Sequence, residues 1–135
     1  MAKVFTGQVI IPGEKMTEYF AALQQAEAAR APFRQSLEQL NQEFAEFLAT
    51  KYVPKTVRKH TAIVGSFIHF ICGYTDVEQI EDITKGLVNS HFRSWYDRKV
   101  DSATESELRV ALRKFFQFLA SEKGITHQKV LDALK

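Results

Sequence analysis

Apolar residues recur at helical spacing along most of the chain. Met16, Tyr19, Phe20, Leu23 and Ala26 fall on one side of a segment rich in Ala, Gln and Glu, over residues 14–30. Pro32 has no N–H for an internal turn, so a break is expected there, with a fresh first turn at the proline. A second stripe runs from Phe33 through Leu37, Leu40, Phe44, Phe47 and Leu48 and stops before Pro54. The third helix takes Thr56 as its expected N-cap and sets Val57, Val64, Phe67, Ile68 and Ile71 on one face, ending near Gly73. Asp76 is expected to cap a short turn, VEQIEDI, and a fourth helix to follow Thr84 with Val88, Phe92 and Trp95 inward. Ser102-Ala-Thr-Glu105 reads as a capping box opening a fifth helix. Its stripe, Leu108, Ala111, Leu112, Phe115, Phe118 and Leu119, ends at Gly124, and His127–Leu134 suits one last short helix. Residues 4–11, VFTGQVII, are β-prone without a partner strand and read as an arm. The pattern predicts an all-α fold. A compact orthogonal bundle of four to five helices occupies residues 37–135, and an N-terminal extension, arm plus helix, occupies 1–36.

A length of 135 residues, 45% of them apolar and 25% charged, bounds this as one globular domain able to bury a real core. No apolar run approaches the roughly 20 residues needed to span a bilayer. The N-terminus lacks the apolar run and cleavage site of a signal peptide. A single cysteine, Cys72, excludes an internal disulfide framework and a Cys-based zinc cluster. A cytoplasmic location is expected.

Net charge is +2, but it is unevenly spread: −2 over residues 1–50, +4 over 51–73, −3 over 74–90 and +3 over 91–135. The stretch KYVPKTVRK, residues 51–59, holds four cations and no acid where the third helix begins. Helix starts favour Asp or Glu in the first turn, because the free N–H groups there carry partial positive charge. Cations in that position suit a docked anion, and a phosphate backbone is the leading candidate. Lys55, Arg58, Lys59, Ser66 and His69 turn away from the third helix's apolar stripe. On the fifth helix Ser102, Ser106, Arg109, Arg113 and Gln117 make one polar stripe, with Lys114 beside it. Ser, Arg and Gln bond phosphates and base edges. The same faces also fit plain solvated helices, and Glu105 and Glu107 near the start of the fifth helix would repel phosphate.

Three segments, FAEFLATKYVPKTVRKHTAIVGSFIHFI, IEDITKGLVNSHFRSWY and SATESELRVALRKFFQFLASEKGI, carry a family resemblance. Their order and spacing resemble the core-binding domain of tyrosine recombinases, the phage-integrase family, over roughly residues 37–135. That domain shows an apolar helix, an "sxxT" opening to a second helix, an I-x-D-I-T turn, and a late helix ending lR-x-F-F-x-F-L-x-x-x-G-x-I. The matching pieces are Lys55–Thr56–Val57, Ile80–Glu81–Asp82–Ile83–Thr84, and Leu112 to Leu119 with Gly124–Ile125. The resemblance implies a small SAM-like helical bundle that grips duplex DNA while a separate domain cuts it. It points to Lys55, Thr56, Arg58, Lys59, Arg109, Arg113 and Lys114 as DNA-binding residues, with Gln117 and Ser106 as weaker candidates.

The family's catalytic domain needs an Arg, a Lys, a His-x-x-Arg motif and a nucleophilic Tyr. His60 is followed by Thr61, Ala62 and Ile63, and Tyr19, Tyr52, Tyr74 and Tyr96 lack Arg/His company. No strand cleavage by this chain alone is therefore expected. His60, His69, His91 and His127 form no helix-spaced ligand pair, and the acids Asp76, Glu78, Glu81 and Asp82 lack EF-hand spacing. No metal, cofactor or small-molecule substrate is expected. Cys72, beside an apolar stripe, reads as a buried inert thiol. Expected partners are double-stranded DNA and a recombinase catalytic domain or other protomers, with no membrane. The alternative is a stand-alone recombinase-like interaction or regulatory bundle whose N-terminal helix, through Tyr19, Phe20 and Leu23, supplies the contact.

Overall fold

Helix α1, Met16–Ala49, runs unbroken for 34 residues, about 51 Å at 1.5 Å per residue. The computed structural model describes residues 12–100 and 102–135, so the arm expected over 4–11 lies outside the described residues. Pro32 sits inside α1, contrary to the break expected there. Its ring is exposed, and so is Ala28, whose carbonyl loses its partner and faces water instead. Ala26, Ala28, Ala29 and Ala31 supply strong helix propensity around the proline. Arg30 adds a tertiary anchor, its guanidinium donating to the carbonyls of Ile71 (3.3 Å), Thr75 and Val77 at the end of the next helix. Together these offset a local proline cost of about 3 kcal/mol. The expected boundary at 36/37 therefore falls within one continuous helix. Burial along α1 begins with Leu37 and continues through Leu40, Phe44 and Leu48, while Phe33 upstream packs partly against the same core.

Helix α2, Pro54–Tyr74, follows after a tight turn and returns antiparallel to α1. Arg30 lies opposite the end of α2, and Asn41 Nδ2 donates to the Thr61 carbonyl at 3.2 Å near its start. The N-cap is Val53, in extended conformation, and Pro54 is the first helical residue, so Thr56 is not the cap. Proline's fixed φ already suits a first turn, and its missing N–H is one that no helix start can pair, so the helix begins two residues before the threonine.

Thr75 closes α2. Its hydroxyl donates to the Ile71 carbonyl at 2.6 Å and accepts from the Val77 N–H at 3.2 Å. The acidic turn contains a 3-10 segment, Ile80–Asp82, whose N-cap is Gln79. Thr84 opens the next helical stretch as expected, its carbonyl accepting from Leu87 and Val88. One π turn, Leu87–His91, leads into α3, Phe92–Lys99. Helix α4, Glu105–Glu122, has its capping box at Thr104 and Glu107, not at Ser102 and Glu105. The Ser102 hydroxyl is engaged 2.9 Å from the Tyr96 hydroxyl, which leaves the second of two overlapping registers to cap the helix. Gly124, at φ +69°, ends α4 as expected, and α5, Gln128–Ala133, closes the described chain.

Among the described residues the fold is all-α, five helices without a strand. Its core is aromatic. Phe44 of α1 meets Phe115 of α4 at 5.3 Å, and Phe67 of α2 meets Phe92 and Phe116 at 5.1 and 6.2 Å. Trp95 is buried as expected and packs 5.4 Å from Phe70.

Arg30→Ala leaves carbonyls of Ile71, Thr75 and Val77 without this donor. The expected loss is about 2 kcal/mol, the worth of charge-assisted bonds to a helix end. A shifted urea midpoint, with faster amide exchange at the end of α2, checks it, and Leu23→Ala on the exposed helix serves as the neutral control.

Candidate nucleic-acid interface

The first turn of α2 contains no acid. Lys55, Arg58 and Lys59 are exposed there and Thr56 is half-buried. Lys55 and Arg58 form no ion pair among the described residues. Lys59 pairs with Glu107 of α4, a carboxylate that also accepts the Thr104 N–H at 2.9 Å. That contact brings the start of α2 beside the start of α4. The two carboxylates expected to repel phosphate are thus both engaged by cations: Glu107 by Lys59, and Glu105 by Arg93 and, at 3.7 Å, by Arg109.

The polar face of α4 divides into two edges. Lys114 lies on the α2 side, where its ammonium donates to the Tyr52 hydroxyl at 2.8 Å and sits 4.8 Å from the ring centroid. Arg109 and Arg113 lie on the α5 side. Arg109 donates to the Ala133 carbonyl at 3.2 Å and Arg113 to the Leu134 carbonyl at 3.5 Å. Unpaired carbonyls at a helix end attract cations, so these two arginines hold α5 against α4 as well as presenting charge. An arginine has five N–H donors, and one bond to a carbonyl leaves the others available. Ser106 and Gln117 are exposed between the two edges.

The structure therefore ties Lys59 to the start of α4 and Lys114 to the turn before α2, leaves Lys55 exposed, turns Arg58 toward α1 beside Glu38 and Asn41, and sets Arg109 and Arg113 apart beside α5. Sequence reasoning passed over Tyr52 except as a discarded nucleophile. The signal was available, because Tyr52 stands within the cation run, immediately after Lys51.

His60 is buried one turn into α2, and its Nδ1 has no hydrogen-bond partner. Burial first, then the charges of Lys114 and Lys59, hold its pKa below the ordinary 6.5. Cys72 is buried as expected, and burial pushes its thiol pKa up. Among the described residues no group of three or more His, Cys, Asp or Glu is placed to hold a metal ion. No helix there is long and apolar enough to cross a membrane.

The family model for the phage integrase N-terminal SAM-like domain matches residues 41–123. The chain belongs to this family. The match takes in most of α1's buried half, α2, α3 and α4, and so both cationic faces. Integrase SAM-like domains are generally DNA-binding modules, and no catalytic domain is evidenced in this one. No curated protein and no solved structure matches the chain.

In this SAM-like domain a neutral His60 belongs to the fold and a protonated one opposes it. In the unfolded chain the imidazole titrates near 6.5. Its contribution to stability is complete above that value and is lost as pH falls through it toward the lower folded-state pKa. Urea unfolding at about pH 7.5 and about pH 5.5 reads this linkage. Wild type is expected to lose more stability on acidification than His60→Gln, and equal losses would exclude His60 as the cause.

Proposed function

We propose that this SAM-like domain grips duplex DNA for site-specific recombination by a tyrosine recombinase, with strand cleavage left to a separate catalytic domain. The observation that carries the reading is the convergence of two helices on one cationic surface. The start of α2 offers Lys55 and Arg58, which form no ion pair among the described residues, and the Lys59–Glu107 pair sets that start against α4.

In this reading Lys55, Thr56, Arg58 and Lys59 position the phosphate backbone and Lys114 extends the grip along α4. Arg109 and Arg113, with Ser106 and Gln117 between the edges, address base edges in the groove, using donors not engaged by α5. Phosphate contacts carry affinity without sequence information, and base contacts carry preference. Affinity is expected to fall with salt at a log–log slope of about −0.9 per phosphate neutralised. Arg58→Ala weakens binding to every sequence and flattens the slope by about one contact. Arg113→Ala relaxes preference among sequences and also loosens α5. Fluorescence anisotropy on duplexes selected from a random pool, read at several salt concentrations, checks both, and salt-independent binding would refute the proposal.

A second reading has one observation in its favour. Met16, Phe20 and Leu23 on the upstream part of α1 are exposed, Phe20 to 52%, and such a face suits a protein partner, whether another protomer or the recombinase catalytic domain. Concentration-dependent association in sedimentation that Phe20→Asp abolishes, together with no response to any duplex, would favour interaction or regulation over DNA binding.

A further inference from the structure

Where α1 turns into α2, a notch of about 200 Å³ opens between that turn and α4. Lys51, Tyr52, Lys114, Gln117 and Ser121 border it, over Leu48 and Phe118. No carboxylate lines it. Both ammonium groups are held over aromatic rings instead of acids: Lys114 is 4.8 Å from the Tyr52 centroid and Lys51 is 4.6 Å from that of Phe47. Such contacts orient a cation without neutralising it. The Tyr52 oxygen accepts from Lys114 at 2.8 Å, so the phenol's own proton remains to be donated elsewhere.

We propose that this notch binds one phosphate group. Lys51 and Lys114 supply two positive charges, and the Tyr52 O–H donates to a non-bridging phosphate oxygen, with the Gln117 amide and Ser121 hydroxyl at the rim. A phosphate has several acceptor oxygens in different directions, which suits two ammonium groups and a hydroxyl arranged around a small hollow. Lys114 belongs to the DNA grip proposed above, and Lys51 and Tyr52 to the cation run that leads into α2, so the source is a phosphodiester of bound DNA. To that extent the inference rests on the DNA-binding reading. It makes Tyr52, a residue without charge, part of the grip. It also gives binding an alkaline limb. Lys114's hydrogen bond and charge, and then Lys51's charge, draw the Tyr52 phenol below its ordinary 10.0. Ionisation removes the donor and sets a negative charge against the phosphate, so affinity is full at neutral pH and is lost as pH rises through that pKa.

The test uses the whole chain and a mixed-sequence DNA duplex. Tyr52→Phe keeps the ring and its contact with Lys114, which a thermal melt verifies. It is expected to bind about tenfold more weakly, with an unchanged salt slope and a smaller loss of affinity at alkaline pH than wild type. Lys114→Met flattens the slope by about 0.9. The double variant is expected to bind within about twofold of Lys114→Met, because both substitutions empty the same site. Tyr52→Phe binding like wild type, or losses that simply multiply, would overturn the notch. If wild type binds no duplex, the DNA-binding reading fails and the notch is judged separately by an NMR titration with inorganic phosphate. Shifts confined to Lys51, Tyr52 and Lys114, absent in Tyr52→Phe and absent with glutamate, support a phosphate site filled from solution. No shifts, or equal shifts with glutamate, overturn it.

Discussion

Phenylalanines from α1, α2 and α4 meet at the centre of the bundle, and the polar surface follows from where they hold α4. Phe44 contacts Phe115 and Phe118, and Phe67 contacts Phe116. All five rings are buried, each worth several kcal/mol against truncation in a packed core. With α4 seated on them, Lys59 reaches Glu107 and Lys114 reaches Tyr52. A different seat for α4 would part Lys59 from Glu107 and Lys114 from Tyr52.

On that surface the charges are sorted by partner. Glu105 and Glu107 stand near the start of α4, where acids favour the helix, and each is engaged by cations. Arg109 and Arg113 face the carbonyl end of α5. Among the described residues Lys51, Lys55, Arg58 and Lys114 are in no ion pair, and Lys51 and Lys114 border one notch where α1 turns into α2. Exposed ion pairs add little to stability, so their main consequence here is to decide which charges remain for an outside anion.

Helix α1 shows how a local rule yields to tertiary contacts. A proline within a helix interior ordinarily breaks it, and Pro32 does not, because its ring faces water and Arg30 is bonded to the end of α2. The shifted helix starts are decided nearer at hand. Pro54 displaces Thr56 as the opening of α2, and the contact between Ser102 and Tyr96 moves the α4 capping box to Thr104. Only the passage of α1 through Pro32 draws on a partner far along the chain, 41 residues away; the α2 start is set by Pro54 itself, and the α4 start by a contact six residues away.

The helical segments downstream of Pro32, their inward faces, the helix stop at Gly124, the buried Cys72 and Trp95, and the family itself were legible in the order of residues, whereas the continuity of α1 through Pro32 was not. Periodicity, glycine at positive φ and motif spacing are properties of short segments, and a short segment carries them wherever it lies. The division of the cationic residues was not legible. Arg109, Arg113 and Lys114 form one run of polar positions on a helical wheel, yet two of them turn to α5 and one to Tyr52. Tyr52 stands 62 residues from Lys114 in the chain. Whether a cation is spent on a carbonyl, an acid or a ring, or left for phosphate, depends on which groups packing brings within about 3 Å, and only the folded arrangement of α2, α4 and α5 sets those distances.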